Sequence, residues 1–172
     1  MKNILFPLIA SCVLLSGCSK TGPELYEGNY SFKTGGYVEI TGKYMPFGDS
    51  EPRDTVFVRH IQNESGQMHV VQGNNGKLKV TMNITGGAPV VFDATATDDA
   101  ITLAPVERSM SVYSDVSDIL PDTSLPLSIG GTGQRYQNMI IFDLEINGKY
   151  EGYHFEGQVS KTFVNCIATR NE

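Results

Sequence analysis

The stretch KLKVTMNIT, residues 77–85, alternates polar and apolar side chains along its whole length. Side chains of a β-strand point alternately to its two faces, so this pattern predicts a strand with one buried and one solvated face. The same alternation recurs in residues 26–32, 90–96 and 140–146. Half-buried strands of this kind are typical of antiparallel sheets.

Clusters of Gly, Asn and Asp separate these runs at short intervals, as turns between consecutive strands do. The sequence therefore predicts an all-β fold, an antiparallel meander of about eight to ten strands. The predicted strands are 25–33, 36–42, 54–62, 67–72, 77–85, 89–97, 100–104, 138–147 and 150–169. Asn147-Gly148 is predicted to form a two-residue hairpin turn before residues 150–155.

The last predicted strand is long and does not alternate cleanly. If Phe155 and Val159 both point inward, Lys161 falls on the same face as Phe163. An extra residue in the strand would account for this change of face. We therefore expect a bend or a bulge in this strand.

Residues 105–138 interrupt the alternation with three prolines and a glycine-rich run at 130–133. An irregular connection of this length in a small domain is either functional or poorly ordered. We expect a long irregular segment here, either a lid over a binding site or a disordered loop. Residues 25–172 are otherwise predicted to form a single domain.

The N-terminus has a short cationic start and an apolar run from residue 4 to residue 15, which is too short to span a bilayer. The run ends in Leu15-Ser16-Gly17-Cys18, which closely resembles the lipobox of bacterial lipoproteins. The resemblance implies cleavage of residues 1–17, lipidation of Cys18 and attachment to the membrane through that lipid. Ser19 after the cysteine implies the outer membrane of the cell envelope, and either face of it remains open. Residues 18–24 are expected to form a tether.

After such cleavage, Cys166 is the last remaining thiol besides the lipidated one, so the mature chain has no intramolecular disulfide. Cys166 shares its alternating face with Val164 and Ala168. We expect it to be a buried apolar residue rather than a reactive thiol.

A meander of short turns closes into a barrel or folds as a two-sheet sandwich. The segment Gly28-Asn29-Tyr30 resembles the Gly-x-Trp start of lipocalins and other calycins, with Tyr in place of Trp. The resemblance implies a closed calycin-like barrel in which Arg170 packs over Tyr30. The β-sandwich remains the alternative.

The chain of 172 residues has a formal net charge of −6 and a pI near 5, which argues against a nucleic-acid partner. It contains no known nucleophile, zinc or phosphate-binding motif, so we expect no catalytic residues and no cofactor. Its histidines, His60, His69 and His154, are spread over three predicted strands, and no metal site is expected.

Aromatic residues concentrate in the first and last predicted strands, which are neighbours in a closed barrel. They either fill the core and rim or line a site for a small apolar or sugar-like molecule. The candidate ligand-binding residues are Tyr26, Tyr30, Tyr37, Tyr44, Tyr150, Tyr153 and Phe155.

Two functional hypotheses follow. The first is a non-enzymatic, lipid-anchored envelope protein of lipocalin-like type that holds such a ligand in an interior cavity of roughly 300 Å³ or more. The second is a structural or protein-interaction lipoprotein, for instance an envelope inhibitor or a subunit of a surface complex, with a filled β domain. The state of the interior distinguishes the two.

Overall fold

The computed structural model describes residues 20–113, 123–151 and 154–172. They form an all-β fold with two short 3₁₀ turns, Gly22–Leu25 and Asn74–Gly76, which confirms the predicted fold class. The strands are β1 (Gly28–Tyr44), β2 (Arg53–Ile61), β3 (Ser65–Gln72), β4 (Leu78–Ile84), β5 (Val90–Ala96), β6 (Ala100–Tyr113), β7 (Thr123–Tyr136), β8 (Met139–Glu151) and β9 (Phe155–Arg170). Residues 1–19, with the lipobox and Cys18, lie outside the described part of the chain.

The first and last strands close the sheet on itself. β1 pairs with β9 along almost its whole length, from Tyr30 opposite Arg170 to Tyr44 opposite Phe155. All pairings are antiparallel, and hydrogen bonds pass in a ring through eight strands, β1 and β3 to β9. A closed ring pairs the edges that an open sheet leaves exposed. The fold is thus barrel-like, as predicted, and not a two-sheet sandwich.

β2 and β3 follow one another along the same edge of β1. β3 pairs with residues 28–33 of β1, and β2 pairs with residues 37–44. The end of β2 also pairs with β6, where His60 lies opposite Tyr113. In one half of the molecule, the wide section, eight strands surround the core. In the other half, the narrow section, β4 and β5 are absent and six strands surround it.

Each section has its own apolar core, and the core side chains are at most 8% exposed. The wide core contains Tyr26, Tyr30, Phe32, Met68, Val70, Leu78, Val80, Met82, Phe92, Ala94, Ile101, Leu103, Ile140, Phe142, Cys166 and Ala168. The narrow core contains Val38, Ile40, Phe57, Ile61, Met110, Val112, Leu125, Leu127, Ile129, Ile146, Tyr150, Phe155 and Val164. Burial of these apolar side chains is the main favourable term in folding.

Polar side chains lie where the two cores meet, a level that we call the waist. The Arg108 guanidinium donates to both carboxylate oxygens of Glu64, at 3.0 and 2.6 Å. The Thr34 hydroxyl accepts a hydrogen bond from the backbone N–H of Glu64 at 2.9 Å. Both members of the ion pair are largely buried. The pair therefore ties the break between β2 and β3 to β6.

Pro105 explains why β5 leaves β6 at the waist. The register of β6 against β7 shifts between Leu103 and Val106, so that Ala104 and Pro105 together lie opposite Gly130. Proline has no N–H to donate to a neighbouring strand. β5 accordingly pairs with β6 only at residues 94–96. The short β4–β5 hairpin ends there, and β2 takes its place beside β6.

The prediction of a long irregular segment at residues 105–138 is wrong. Strands β6 and β7 occupy most of it and pair from Val112 opposite Thr123 to Ala100 opposite Gln134. The glycines are needed because neighbouring backbones approach closely: a Cβ at Gly131 would lie 2.3 Å from the carbonyl oxygen of Asp143. Residues 114–122 of this segment are outside the described residues.

The predicted hairpin turn at Asn147-Gly148 is also wrong. Both residues lie inside β8, where Asn147 pairs with Ser128 and Gly148 with Leu127 of β7. Gly148 does not have a positive φ. A glycine is required instead because a Cβ there would lie 2.3 Å from the Leu127 side chain.

The bulge expected in the last strand is confirmed. The register between β1 and β9 shifts after Glu39, which pairs with Lys161, so that Ile40 pairs with Val159. Ser160 is therefore the extra residue of the bulge. Lys161 and Phe163 lie together on the outer face as a result.

Candidate functional site

Four of the predicted ligand-binding residues point into the ring and belong to its cores. Tyr26 and Tyr30 lie in the wide core, whereas Tyr150 and Phe155 lie in the narrow core. The Phe155 ring packs edge-on against Phe57, with ring centroids 5.0 Å apart. These aromatic side chains are thus divided between two packed interiors and do not converge on one another.

Tyr30 and Arg170 close the end of the wide section. The Arg170 guanidinium lies over the Tyr30 ring, 5.2 Å from its centroid, and donates a hydrogen bond to the Tyr30 hydroxyl at 2.7 Å. It also donates to the backbone carbonyls of Leu25 and Glu27. The Tyr30 hydroxyl in turn donates to the carbonyl of Tyr26 at 2.8 Å. The contact between Arg170 and Tyr30, which the lipocalin resemblance implies, is confirmed.

Tyr26 lies beneath this closure and is fully buried. Its hydroxyl has no hydrogen-bond partner among the described residues. Burial raises the pKa of the Tyr26 phenol, and the nearby carboxylate of Asp99 adds to the effect. The phenol therefore stays neutral at physiological pH.

Tyr37 points outward and belongs to an aromatic row that crosses four neighbouring strands. The row consists of Phe163 on β9, Tyr37 on β1, His60 on β2 and Tyr113 on β6. Tyr37 stacks on Phe163 with ring centroids 4.8 Å apart, and its ring is 6.1 Å from that of His60. The His60 and Tyr113 rings are 5.7 Å apart. Cross-strand pairs of this kind stabilise a sheet, and here they also form an exposed apolar surface.

The two remaining candidates lie apart from this row. Tyr44, at the end of β1, is half-buried and packs against the narrow core. Tyr153 is outside the described residues.

A groove of about 420 Å³ opens on the outer face between β8 and β9. It exists because the ladder between these strands is interrupted between Leu144 and Lys149. Within the gap, the Thr162 hydroxyl donates to the carbonyl of Ile146 at 3.1 Å and accepts from its N–H at 3.3 Å. We call this feature the waist groove; its polar lining residues are Thr132, Asp143, Glu145, Asn147, Ser160 and Lys161.

A smaller hollow of about 180 Å³ adjoins the waist groove across β7. It shares Thr132, Glu145 and Asn147 with the groove. Other hollows of about 460 and 390 Å³ lie beside the β3–β4 turn and between the far ends of β1 and β9. All four open on the outside of the ring.

The histidines and Cys166 do not form a reactive cluster. His69 is hydrogen-bonded to the Asn29 side chain at 2.6 Å, and His60 belongs to the aromatic row. In the described ranges, no group of three or more His, Cys, Asp or Glu side chains is arranged to hold a metal ion. Cys166 is buried in the wide core, and burial raises the pKa of its thiol to about 12. The thiol is thus protonated and shielded at neutral pH.

Sequence reasoning did not single out Phe163 or Tyr113 as site residues. Their importance depends on the register of four strands that are distant in sequence. The one available signal was the expected bulge, which places Phe163 outside.

No known protein-family model matches this chain, and no curated protein resembles it significantly in sequence. Within the described residues, there is no helix of sufficient length and apolar character to cross a membrane.

Proposed function

We propose that this protein is a non-enzymatic, lipid-anchored binding module of the bacterial cell envelope that engages its partner through the outer surface of a filled β domain. The observation that carries the proposal is the division of the interior into two packed cores. The aromatic residues that would line an interior site are part of this packing. The accessible hollows and the aromatic row lie on the outer face instead.

Membrane attachment is supported by the lipobox sequence at residues 15–18. Only nine residues separate Cys18 from the start of β1 at Gly28. Such a short tether keeps the wide section close to the bilayer, because an extended chain spans at most about 3.5 Å per residue. The narrow section then points away from the membrane, and the waist lies between, where an envelope partner can reach it.

The lipocalin-like alternative places a small apolar or sugar-like ligand inside the ring. The contact of Arg170 with Tyr30 favours a likeness to that family. An interior ligand, however, has to displace core side chains such as Phe142, which is 1% exposed. Removing packed side chains from a core costs several kcal/mol. We therefore favour the second hypothesis, in which an inhibitor or a complex subunit uses its outer face.

Native mass spectrometry of protein extracted from its own envelope tests this proposal. After buffer exchange, we expect the mass of the processed chain plus the lipid on Cys18, and no retained small molecule. A stoichiometric ligand that survives exchange and is released by unfolding would contradict the filled interior. The Cys18→Ser variant serves as the control for anchoring, and we expect it to accumulate as the unprocessed precursor.

A further inference from the structure

We infer that the waist groove binds a neutral oligosaccharide, with the exposed ring of Phe163 as the surface on which one sugar packs. This inference rests on the proposed function, since it names the chemistry of the partner that the outer face engages. It depends on three features of the groove: an aromatic face at its edge, a polar lining and its charge.

Phe163 presents a free aromatic face towards the groove. One face of its ring stacks on Tyr37 of β1, at an interplanar angle of 28°. β8 pairs with the opposite edge of β9, so the other face of the ring is turned towards β8. The side chain is 48% exposed. The apolar C–H face of a pyranose ring packs well on such an aromatic surface.

Phe163 also adjoins the polar part of the groove. Leu144 of β8 pairs with Val164 of β9, and the residues beside this pair, Glu145 and Phe163, both point outward. Glu145 lines the groove. A sugar held by Glu145 therefore lies within reach of the Phe163 ring.

The lining supplies the hydrogen bonds that sugar hydroxyls need. Asp143, Glu145 and Asn147 are alternate residues on the outer face of β8, roughly 7 Å apart along the strand. The carboxylates accept hydrogen bonds, and the Asn147 amide both donates and accepts. A hydroxyl is itself donor and acceptor, so a mixed lining of this kind suits it better than an apolar or a purely cationic one.

The charge of the groove favours a neutral sugar. The one lysine in its lining, Lys161, is paired with Glu39 at 2.8 Å. Asp143 and Glu145 have no ion-pair partner in the described part of the chain, so the groove carries negative charge. Anionic glycans and phosphates are therefore repelled.

The adjoining hollow extends the site beyond one sugar ring. Gly130 and Gly131 line it, together with Glu145 and Asn147. A side chain at Gly131 would collide with the β8 backbone, so this part of the floor stays bare. We therefore expect a short oligosaccharide to bind more tightly than a monosaccharide.

The test uses the mature lipidated protein in a detergent without a sugar headgroup. Maltotriose, cellotriose, mannotriose and tri-N-acetylchitotriose are titrated by isothermal calorimetry, with trigalacturonate and trilysine as charged probes. We expect at least one neutral trisaccharide to bind with a Kd below about 1 mM, and trigalacturonate not to bind. Phe163→Ala should weaken that binding about tenfold or more, and Phe163→Tyr should retain it.

Ile167→Ala is the matched control. Ile167 lies on the same outer face of β9 and is 43% exposed, but it lines neither the groove nor the adjoining hollow. Its loss should leave binding unchanged.

Three results would overturn the inference: no neutral trisaccharide binds, trilysine or trigalacturonate binds in preference, or Phe163→Ala and Ile167→Ala bind alike. The proposed function is judged separately. An empty interior in mass spectrometry retains it even when every sugar fails, whereas a retained interior ligand contradicts it whatever the sugars do.

Discussion

The wide and narrow sections share five strands, β1 and β6 to β9, but differ in how their cores are enclosed. In the wide section, β3 to β5 complete a ring of eight, whereas in the narrow section β2 alone bridges β1 and β6. The change in strand number is absorbed at one level, where the bulges, the broken ladder and the buried ion pair all lie. The waist is therefore both the structural seam of the molecule and the place where its outer surface is indented.

The largest effect is expected from Gly36→Ala, which attacks the seam directly. A Cβ at Gly36 would lie 2.0 Å from the carbonyl oxygen of Phe163, and its φ is +134°. β1 and β9 can then no longer close the ring at the waist. We expect a loss of about 3 kcal/mol or more, or failure to fold, in chemical denaturation.

Gly48→Ala separates the two causes. Gly48 also has a positive φ, +88°, but nothing lies within 4 Å of its Cβ position. It should cost only about 1 kcal/mol. Equal effects of the two variants would show that backbone conformation, and not closure of the ring, matters at Gly36.

The next largest effect concerns the ion pair between the two cores. Removing either partner leaves a largely buried charge uncompensated, so Glu64→Ala and Arg108→Ala should each cost about 2 kcal/mol. The double variant should cost less than the sum of the two. The exposed pair Asp49 and Arg53 is the control, and Asp49→Ala should cost under about 0.5 kcal/mol. Additive losses at Glu64 and Arg108 would mean that the pair does not couple the sections.

A smaller effect is expected where β8 and β9 separate. Thr162→Val removes the hydroxyl that satisfies the backbone of Ile146, at a cost of about 1 to 2 kcal/mol. Thr41→Val removes a hydroxyl bonded to Ser160 on the exposed surface and should cost much less. Similar melting temperatures for the two variants would contradict this account of the gap.

The smallest effect at neutral pH concerns Cys166 in the wide core. Its pKa is raised to about 12 in the folded protein from an ordinary value of 9.0, so its contribution to stability is full below pH 9. It is lost as the pH rises from 9 towards 12, because only the unfolded chain then ionises. The wild type should accordingly lose more stability over this range than Cys166→Ala. Rapid labelling of the folded protein by a thiol reagent at pH 8 would be inconsistent with this burial.

The regular parts of the ring could be predicted from the sequence. The alternation at residues 77–85 corresponds to β4, and the contact between Tyr30 and Arg170 follows from a resemblance to known barrels. Local alternation sufficed there because each strand has one buried and one solvated face. The bulge near Ser160 was visible as a conflict between two apolar positions.

The irregular parts could not be predicted in this way. Glycines 130 and 131 suggest a flexible loop, yet they mark a close approach of β7 to β8. Asn147-Gly148 has the composition of a hairpin turn, but β8 continues through it because its glycine fits against Leu127. The candidate site depends on pairings between strands far apart in sequence, so Phe163 carried no local signal.

The filled interior is tested most directly by methyl NMR of the wild-type protein during titration with dodecanoate, an apolar probe. Ile40 and Leu127 report on the narrow core, whereas Met68 and Ile140 report on the wide core. Our account predicts that none of these buried methyl signals shifts in a saturable manner. Saturable shifts confined to one core would contradict it and would show that the ring holds its ligand inside.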